Sequence, residues 1–271
     1  MDLAAAVAKT IAYGRYFNFP LSAEEVHHWL ISPYSVSQSA LKKYLPVLEP
    51  KERLLRKTLL QNTKKKEKTA FKLIKYARLI PGIRLIALTG SVAVNNSQKD
   101  DDLDLLIITS AHTLWLTRPL LLLLLSLKFN RRHPGDSPSQ TKNAFCPNLW
   151  LDTLSLSVPK NRQNIYTAHE VLQVRPIFDK GHTHKLFIKS NYWVKRHLAN
   201  AYLELSKGKI KKENFTPLTF LVAPLNFVFF LLQYLYMFPK ITTEAVSLHY
   251  AYFHKNDLSV SLEKYLKNKP L

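Results

Sequence analysis

Two apolar runs of strand length, "IRLIALT" at residues 83–89 and "LDLLIIT" at 103–109, flank the segment "GSVAVNNSQKDDD". Runs this rich in leucine and isoleucine read as buried strands, and Gly82 and Gly90 bound the first. The segment between them is long enough for one helical turn and a loop. Side chains alternate along a strand, so Asp102 and Asp104 share one side while Leu103, Leu105 and Ile107 face a core. Four aspartates (100, 101, 102 and 104) therefore gather at the mouth of a buried strand, in a chain with 39 Lys and Arg against 19 acids. Two carboxylates on one face repel one another unless a cation lies between them. A hard divalent ion such as Mg²⁺ bridges protein carboxylates to substrate phosphates. Gly90 lets the backbone approach a phosphate closely, and Ser91 adds a hydroxyl and an N–H at the start of the helical turn.

The segments around this unit set the architecture. Residues 1–50 read as three short helices, "MDLAAAVAKTIAYGRYF", "LSAEEVHHWLI" and "SVSQSALKKYL", the second opened by a capping-box pair, Ser22 and Glu25. Three helices of this size form either a helix-turn-helix core or a plain helical cap. From Lys51 to Ile80 eleven lysines or arginines stand against two glutamates, with Leu54, Leu55, Leu59, Leu60, Ala70, Leu73, Ile74 and Ala77 at roughly helical intervals. This predicts one or two basic amphipathic helices with a solvated face suited to polyanions. Between the strands and residue 140, "HTLWLTRPLLLLLLSLKFNRRHPGD" supplies a helix packed on the sheet and a basic loop, whose Arg131 and Arg132 can reach a substrate phosphate. "FCPNLWLDTLSL" is a third strand and "VRPIFD" a fourth, closing on a turn at Asp179–Gly181. His169 and Glu170 are adjacent, cannot share a helix face, and read as structural, while His182 and His184 lack an evident third ligand. Residues 186–271 read as helical. Within them the uncharged run 217–238, broken by Pro224, Asn226 and Gln233, reads as a buried helix or partner interface, with membrane contact as the alternative.

Gly90-Ser91, a ten-residue loop and Asp102-Leu103-Asp104 leading into Leu105-Leu106-Ile107 together resemble the signature of the polymerase β-like nucleotidyltransferase superfamily. The whole layout is similar to bacterial nucleotidyltransferase-domain proteins in which a small winged-helix-like segment precedes the catalytic domain and a helical tail follows. The resemblance implies an α/β (α+β) fold: a mixed sheet flanked by helices, with the catalytic domain at 81–185, basic connecting helices at 51–80 and a C-terminal helical region at 186–271. It also implies two-metal Mg²⁺ chemistry on a nucleoside triphosphate, with Asp102 and Asp104 as metal ligands and Gly90 and Ser91 holding the triphosphate. A third carboxylate on a later strand activates the attacking group in such enzymes. Asp152 is the candidate, and Asn148 is the competing inward-facing position.

A net charge of +20 points to a polyanionic partner, so nucleic acid is expected on the 51–80 segment. The lone Cys146 cannot make an internal disulfide, and with no secretory pattern at the N-terminus the expectation is a buried thiol in a cytoplasmic protein. Three functional classes follow: a Mg²⁺-dependent nucleotidyltransferase with an unidentified acceptor, a catalytically weak nucleic-acid-binding or regulatory module of the same fold, and a membrane-associated scaffold.

Overall fold

The computed structural model describes residues 2–133, 135–210, 218–253 and 258–268. The N-terminal helices are α1 (Leu3–Tyr16), α2 (Ala23–His28) and α3 (Gln38–Leu41), followed by α4 (Pro50–Ala77). Then come β1 (Ile83–Leu88), α5 (Gly90–Ala93), β2 (Leu103–Thr109), α6 (Leu114–Lys128), α7 (Pro138–Thr141) and β3 (Phe145–Asp152). The chain continues through α8 (Ile165–Leu172), β4 (Arg175–Asp179), α9 (Thr183–Ser190), α10 (Ala199–Leu205), α11 (Leu218–Met237), β5 (Ala245–Val246), β6 (Tyr250–Tyr252) and α12 (Ser259–Asn268).

The strands form one mixed sheet in the order β4-β1-β2-β3-β6-β5. Only β2 and β3 pair in parallel, and α6 and α7 lie in the connection that such a pair requires. Helices cover both faces. Leu85, Ala87, Leu106, Ile108 and Leu151 point to one side, into a core shared with α8, α9 and α10. Ile86, Leu88, Leu105, Ile107 and Trp150 point to the other, against α4 and α6. The alternation read from the sequence thus sorts the strand residues correctly, and both faces are apolar because both are covered.

The N-terminal helices do build a small local core from Ala6, Val7, Val26, Leu30 and Leu41, and the Ser22–Glu25 capping box forms as expected. No strand follows α3 before α4 among the described residues, so the winged-helix expectation loses its wing. Nor is this segment packed only on itself. Tyr13 of α1 enters the core beneath the sheet, and Tyr16 hydrogen-bonds Ser261 of α12 at 2.7 Å.

The basic stretch is a single helix of 28 residues, started by Pro50 and a Glu49–Glu52 capping box. It buries Leu59, Thr63, Lys66, Ala70, Leu73 and Ala77, and leaves Leu54, Leu55 and Leu60 exposed. Lys66 departs from the expected solvated face. Its ammonium donates to the carbonyls of Asp101 (2.5 Å) and Lys99 (3.3 Å) and to Asn143 Oδ1 (2.8 Å), which ties α4 to the aspartate loop.

Two readings of the C-terminal region need correction. It is not wholly helical, because β5 and β6 return to the sheet and β6 pairs with β3. The run Tyr250-Ala251-Tyr252 lies between β3 and the edge strand β5, with Ala251 in one core and Tyr252 in the other. The apolar helix α11 is also not buried. Asn226 and Gln233 bind it to α6, accepting from Trp115 N at 2.9 Å and donating to Trp115 O at 2.7 Å, and its outer side stands in solvent. The polar residues that seemed to interrupt a buried helix are therefore its docking groups.

Candidate active site

Strand β2 carries Asp104 at its start, and Asp102 immediately precedes the strand. Both carboxylates lie on the sheet side of Leu106 and Ile108 by alternation. One ligand atom from each of Asp102, Asp104 and Cys146 falls within 4.8 Å of the others, a cluster that can hold a metal ion. Burial, and then the neighbouring Asp102, push the Asp104 carboxyl well above the usual carboxylate range. The same burial and the same two carboxylates raise the Cys146 thiol, so it stays protonated and donates to Asp104. Arg132 supplies the local counter-charge through a 2.5 Å ion pair with Asp102 Oδ2. That pairing turns Arg132 toward the carboxylate, whereas Arg131 pairs with His133 at 3.0 Å.

Gly90 backs directly onto this pair. Its φ is +60°, and a Cβ there would stand 2.7 Å from Asp104 Oδ2. The residue before it, Thr89, donates its N–H to the Asp104 carbonyl at 3.0 Å, which fixes the turn against the strand. Ser91 is engaged elsewhere, its hydroxyl donating to Asp101 Oδ2 at 2.6 Å. Asp101 also accepts from Gln98 N at 2.8 Å, so it organises the loop, and Asp100 pairs with Lys142 at 2.7 Å. These two aspartates lie outside the cluster.

On β3 the structure separates the two candidates for the third position. Asn148 Nδ2 donates to Asp104 Oδ1 at 2.6 Å. Asp152 instead pairs in register with Thr109, five residues further along β2, which is roughly 16 Å at strand rise. It also faces the opposite side of the sheet. The register shifts between the Asp104–Cys146 and Leu106–Leu149 pairs, and this irregularity turns Asn148 and Leu149 to one side and Trp150 and Asp152 to the other. Strand alternation would put Asn148 and Asp152, four residues apart, on one face, and at this point it does not. Pro147 is the signal that could have revealed it, since a proline inside a strand marks an edge or a bulge. Asp152 is buried, its carboxylate hydrogen-bonded to His249 Nδ1 (2.8 Å) and accepting from the N–H groups of Leu154 (2.9 Å) and His112 (3.2 Å).

Two oxygens beside Asp104, Asn148 Oδ1 and Thr89 Oγ1, are buried and have no hydrogen-bond partner. Unmet polar atoms of this kind are costly in a finished core.

A cavity of about 560 Å³ opens over the same sheet face, lined by Thr89, Leu149, Leu151, Arg162, Tyr166, Glu170 and Tyr252 among others. Glu170, read as structural from the sequence, lines this cavity, and its carboxyl has no hydrogen bond or ion pair among the described residues. Burial pushes it up to about 7, and its charge bears on Asp104. His169, one residue earlier and turned away, stacks on Tyr13 with ring centroids 3.7 Å apart and is structural as expected. His182 and His184 join no metal-binding cluster among the described residues.

The Glu170 shift gives a testable sign. A carboxyl raised from 4.5 to about 7 is neutral and tolerated at low pH, and the folded state loses stability as pH rises toward and through 7. Glu170→Gln is therefore expected to stabilise the protein at pH 8 and to have little effect at pH 4. The gain is at most about 3 kcal/mol and is reduced by water entering the cavity. Urea unfolding at the two pH values measures it, and an equal change at both would reject the buried-charge account.

No family model, curated protein or solved structure matches the chain.

Proposed function

We propose that the chain is a Mg²⁺-dependent nucleotidyltransferase of the polymerase β-like type, moving a nucleoside monophosphate from a triphosphate to an acceptor hydroxyl in the cytoplasm. The observation that carries this reading is the placement of Gly90 against the Asp102–Asp104 pair, with Asn148 Oδ1 and Thr89 Oγ1 unpartnered beside it. Two carboxylates and an amide oxygen suit a hard, oxygen-seeking cation, and the protonated Cys146 thiol does not. Asp102, Asp104 and Asn148 would hold the ion. When bound, it neutralises charge on the phosphates and on the transferred phosphoryl group.

The remaining work falls to the chain. The Gly90 turn presents backbone to the triphosphate at a point where a side chain would displace Asp104. Arg132, exchanging Asp102 for phosphate oxygens, adds positive charge on the departing side. Glu170, with a pKa near the working pH, is suited to take the proton of an acceptor hydroxyl entering the cavity. In this scheme the third carboxylate comes from α8, because β3 offers Asn148 at the facing position. Asp152 has a structural role. Asp152→Ala is expected to strand its buried partners and lower stability by about 3 kcal/mol in urea titration, with transfer activity of the folded variant within a few-fold of wild type. A folded Asp152→Ala protein with activity abolished would return Asp152 to the catalytic set.

The direct test is binding. Mg²⁺ with a non-hydrolysable nucleoside triphosphate should raise the melting temperature of the wild type, and Asp102→Asn should remove that shift.

Two observations favour the second reading. Asn148 stands where a carboxylate is expected, and α4 presents Lys65 beside Lys99 and Lys142 around a shallow cavity of about 200 Å³. A regulatory module built this way would bind nucleic acid with a steep salt dependence that is indifferent to Asp102→Asn.

A further inference from the structure

We propose that the outer face of the α6–α11 pair is a docking surface for an anionic lipid bilayer, on which the protein lies without crossing it. The surface has no part in the Asp102–Asp104 site. Among the described residues one helix, across residues 221–240, is long and apolar enough to cross a membrane by length and composition. Its outer side is formed by Leu221, Leu225, Val228, Leu232, Leu235 and Tyr236, all exposed and spaced at three, four or seven residues, with one adjacent pair. No charged or amide side chain interrupts this stripe, because Asn226 and Gln233 are turned inward to Trp115 and Arg118. Helix α6, on which it docks, exposes Leu120, Leu123 and Leu127. Exposed apolar surface of this extent on two adjacent helices marks an interaction site.

Three observations identify the occupant as lipid. First, the end of α11 and the turn that follows it, Phe238–Lys240, are built as an interfacial anchor. Lys240 Nζ lies 4.1 Å from the centre of the Tyr236 ring, and Phe238 is exposed beside it, the pairing of amphipathic aromatic and reaching lysine that suits a headgroup layer. Second, the apolar faces are rimmed by positive charge. The C-terminal ends of α4 and α6 meet through Tyr76 and Phe129, with Lys128 over the Tyr76 ring at 5.0 Å, and Lys72, Lys75 and Arg78 are exposed there next to exposed Phe71 and Leu79. A second copy of a chain carrying +20 would bring like rims together, whereas an anionic bilayer neutralises them at about 1 kcal/mol per basic residue. Third, α11 is held at two points two turns apart, Asn226 and Gln233, to the first turns of α6, which itself packs on the sheet, so this stretch of the helix lies against the domain and does not project from it.

The experiment is co-sedimentation of the full chain with vesicles of phosphatidylcholine alone and of phosphatidylcholine mixed with phosphatidylglycerol in equal parts. The protein is expected to pellet with the anionic vesicles, to stay in solution with the neutral ones, and to be recovered less as salt is raised before mixing. Leu232→Asp/Leu235→Asp changes two side chains that are 61% and 68% exposed, so the variant folds as judged by circular dichroism, and its vesicle affinity falls roughly tenfold or more. Lys72→Glu/Lys75→Glu weakens binding to the anionic vesicles in the same assay. Equal recovery with both vesicle types overturns the proposal. So does recovery unchanged by either variant, and so does absence from vesicles coupled with a concentration-dependent dimer that Leu232→Asp/Leu235→Asp dissociates.

Discussion

Asp104→Asn is expected to reduce nucleotidyl transfer by at least about a hundredfold while leaving the protein folded and more heat-stable. The two halves of this result have one cause. Asp104 sits half-buried beside Asp102, and the Cys146 thiol, the Asn148 amide and the more distant Arg132 offset its charge. The neutral amide of asparagine preserves shape and relieves both desolvation and the repulsion from Asp102, so the folded state gains. The same change removes the carboxylate that would hold the metal, so chemistry is lost. Activity is read as pyrophosphate release and stability as the melting temperature. Lost activity with lost stability would show only that Asp104 supports the fold.

Gly90→Ala carries the second large effect. At φ +60° an alanine is strained by about 1 kcal/mol, and its methyl would stand 2.7 Å from Asp104 Oδ2. The clash falls on the tip of a side chain, so the chain can still fold by moving that carboxylate away from Asp102. A shift of about 1 Å at a catalytic carboxylate costs roughly a hundredfold in rate. Circular dichroism should be near wild type and the Mg²⁺-dependent rise in melting temperature should vanish. Gly208, also at positive φ, provides the control: its Cβ would meet only the end of Lys185, so Gly208→Ala costs strain and leaves the metal response intact.

The strand pair and its acidic mouth were legible because two local rules agree there. The leucine and isoleucine content of "IRLIAL" and "LDLLIIT" selects strand, and alternation then places Asp102 and Asp104 together. The third position was not legible, since one extra residue at Pro147–Asn148 reverses every side chain beyond it, and alternation counted through a bulge gives the wrong face. Glu170 escaped for a different reason. The role proposed for it depends on a cavity lined from β3, β6 and α8, a property of tertiary packing that no local pattern contains. Helix α11 is a third kind of miss. A helix apolar on all sides has no face to read, and the separation of Asn226 and Gln233 by seven residues, two turns on one side, was the available sign of where it docks.

The central claim is that the Gly90 turn and the Asp102–Asp104 pair form a working nucleotidyl-transfer centre. The most direct measurement incubates the purified protein with each of the four labelled nucleoside triphosphates and Mg²⁺, with total RNA and protein extract as acceptors, beside Asp102→Asn/Asp104→Asn. The account predicts pyrophosphate release and label transfer with at least one nucleotide, dependent on Mg²⁺ and absent from the double variant. Equal label transfer by the double variant, or none by a folded wild-type protein that still binds nucleic acid, would contradict it.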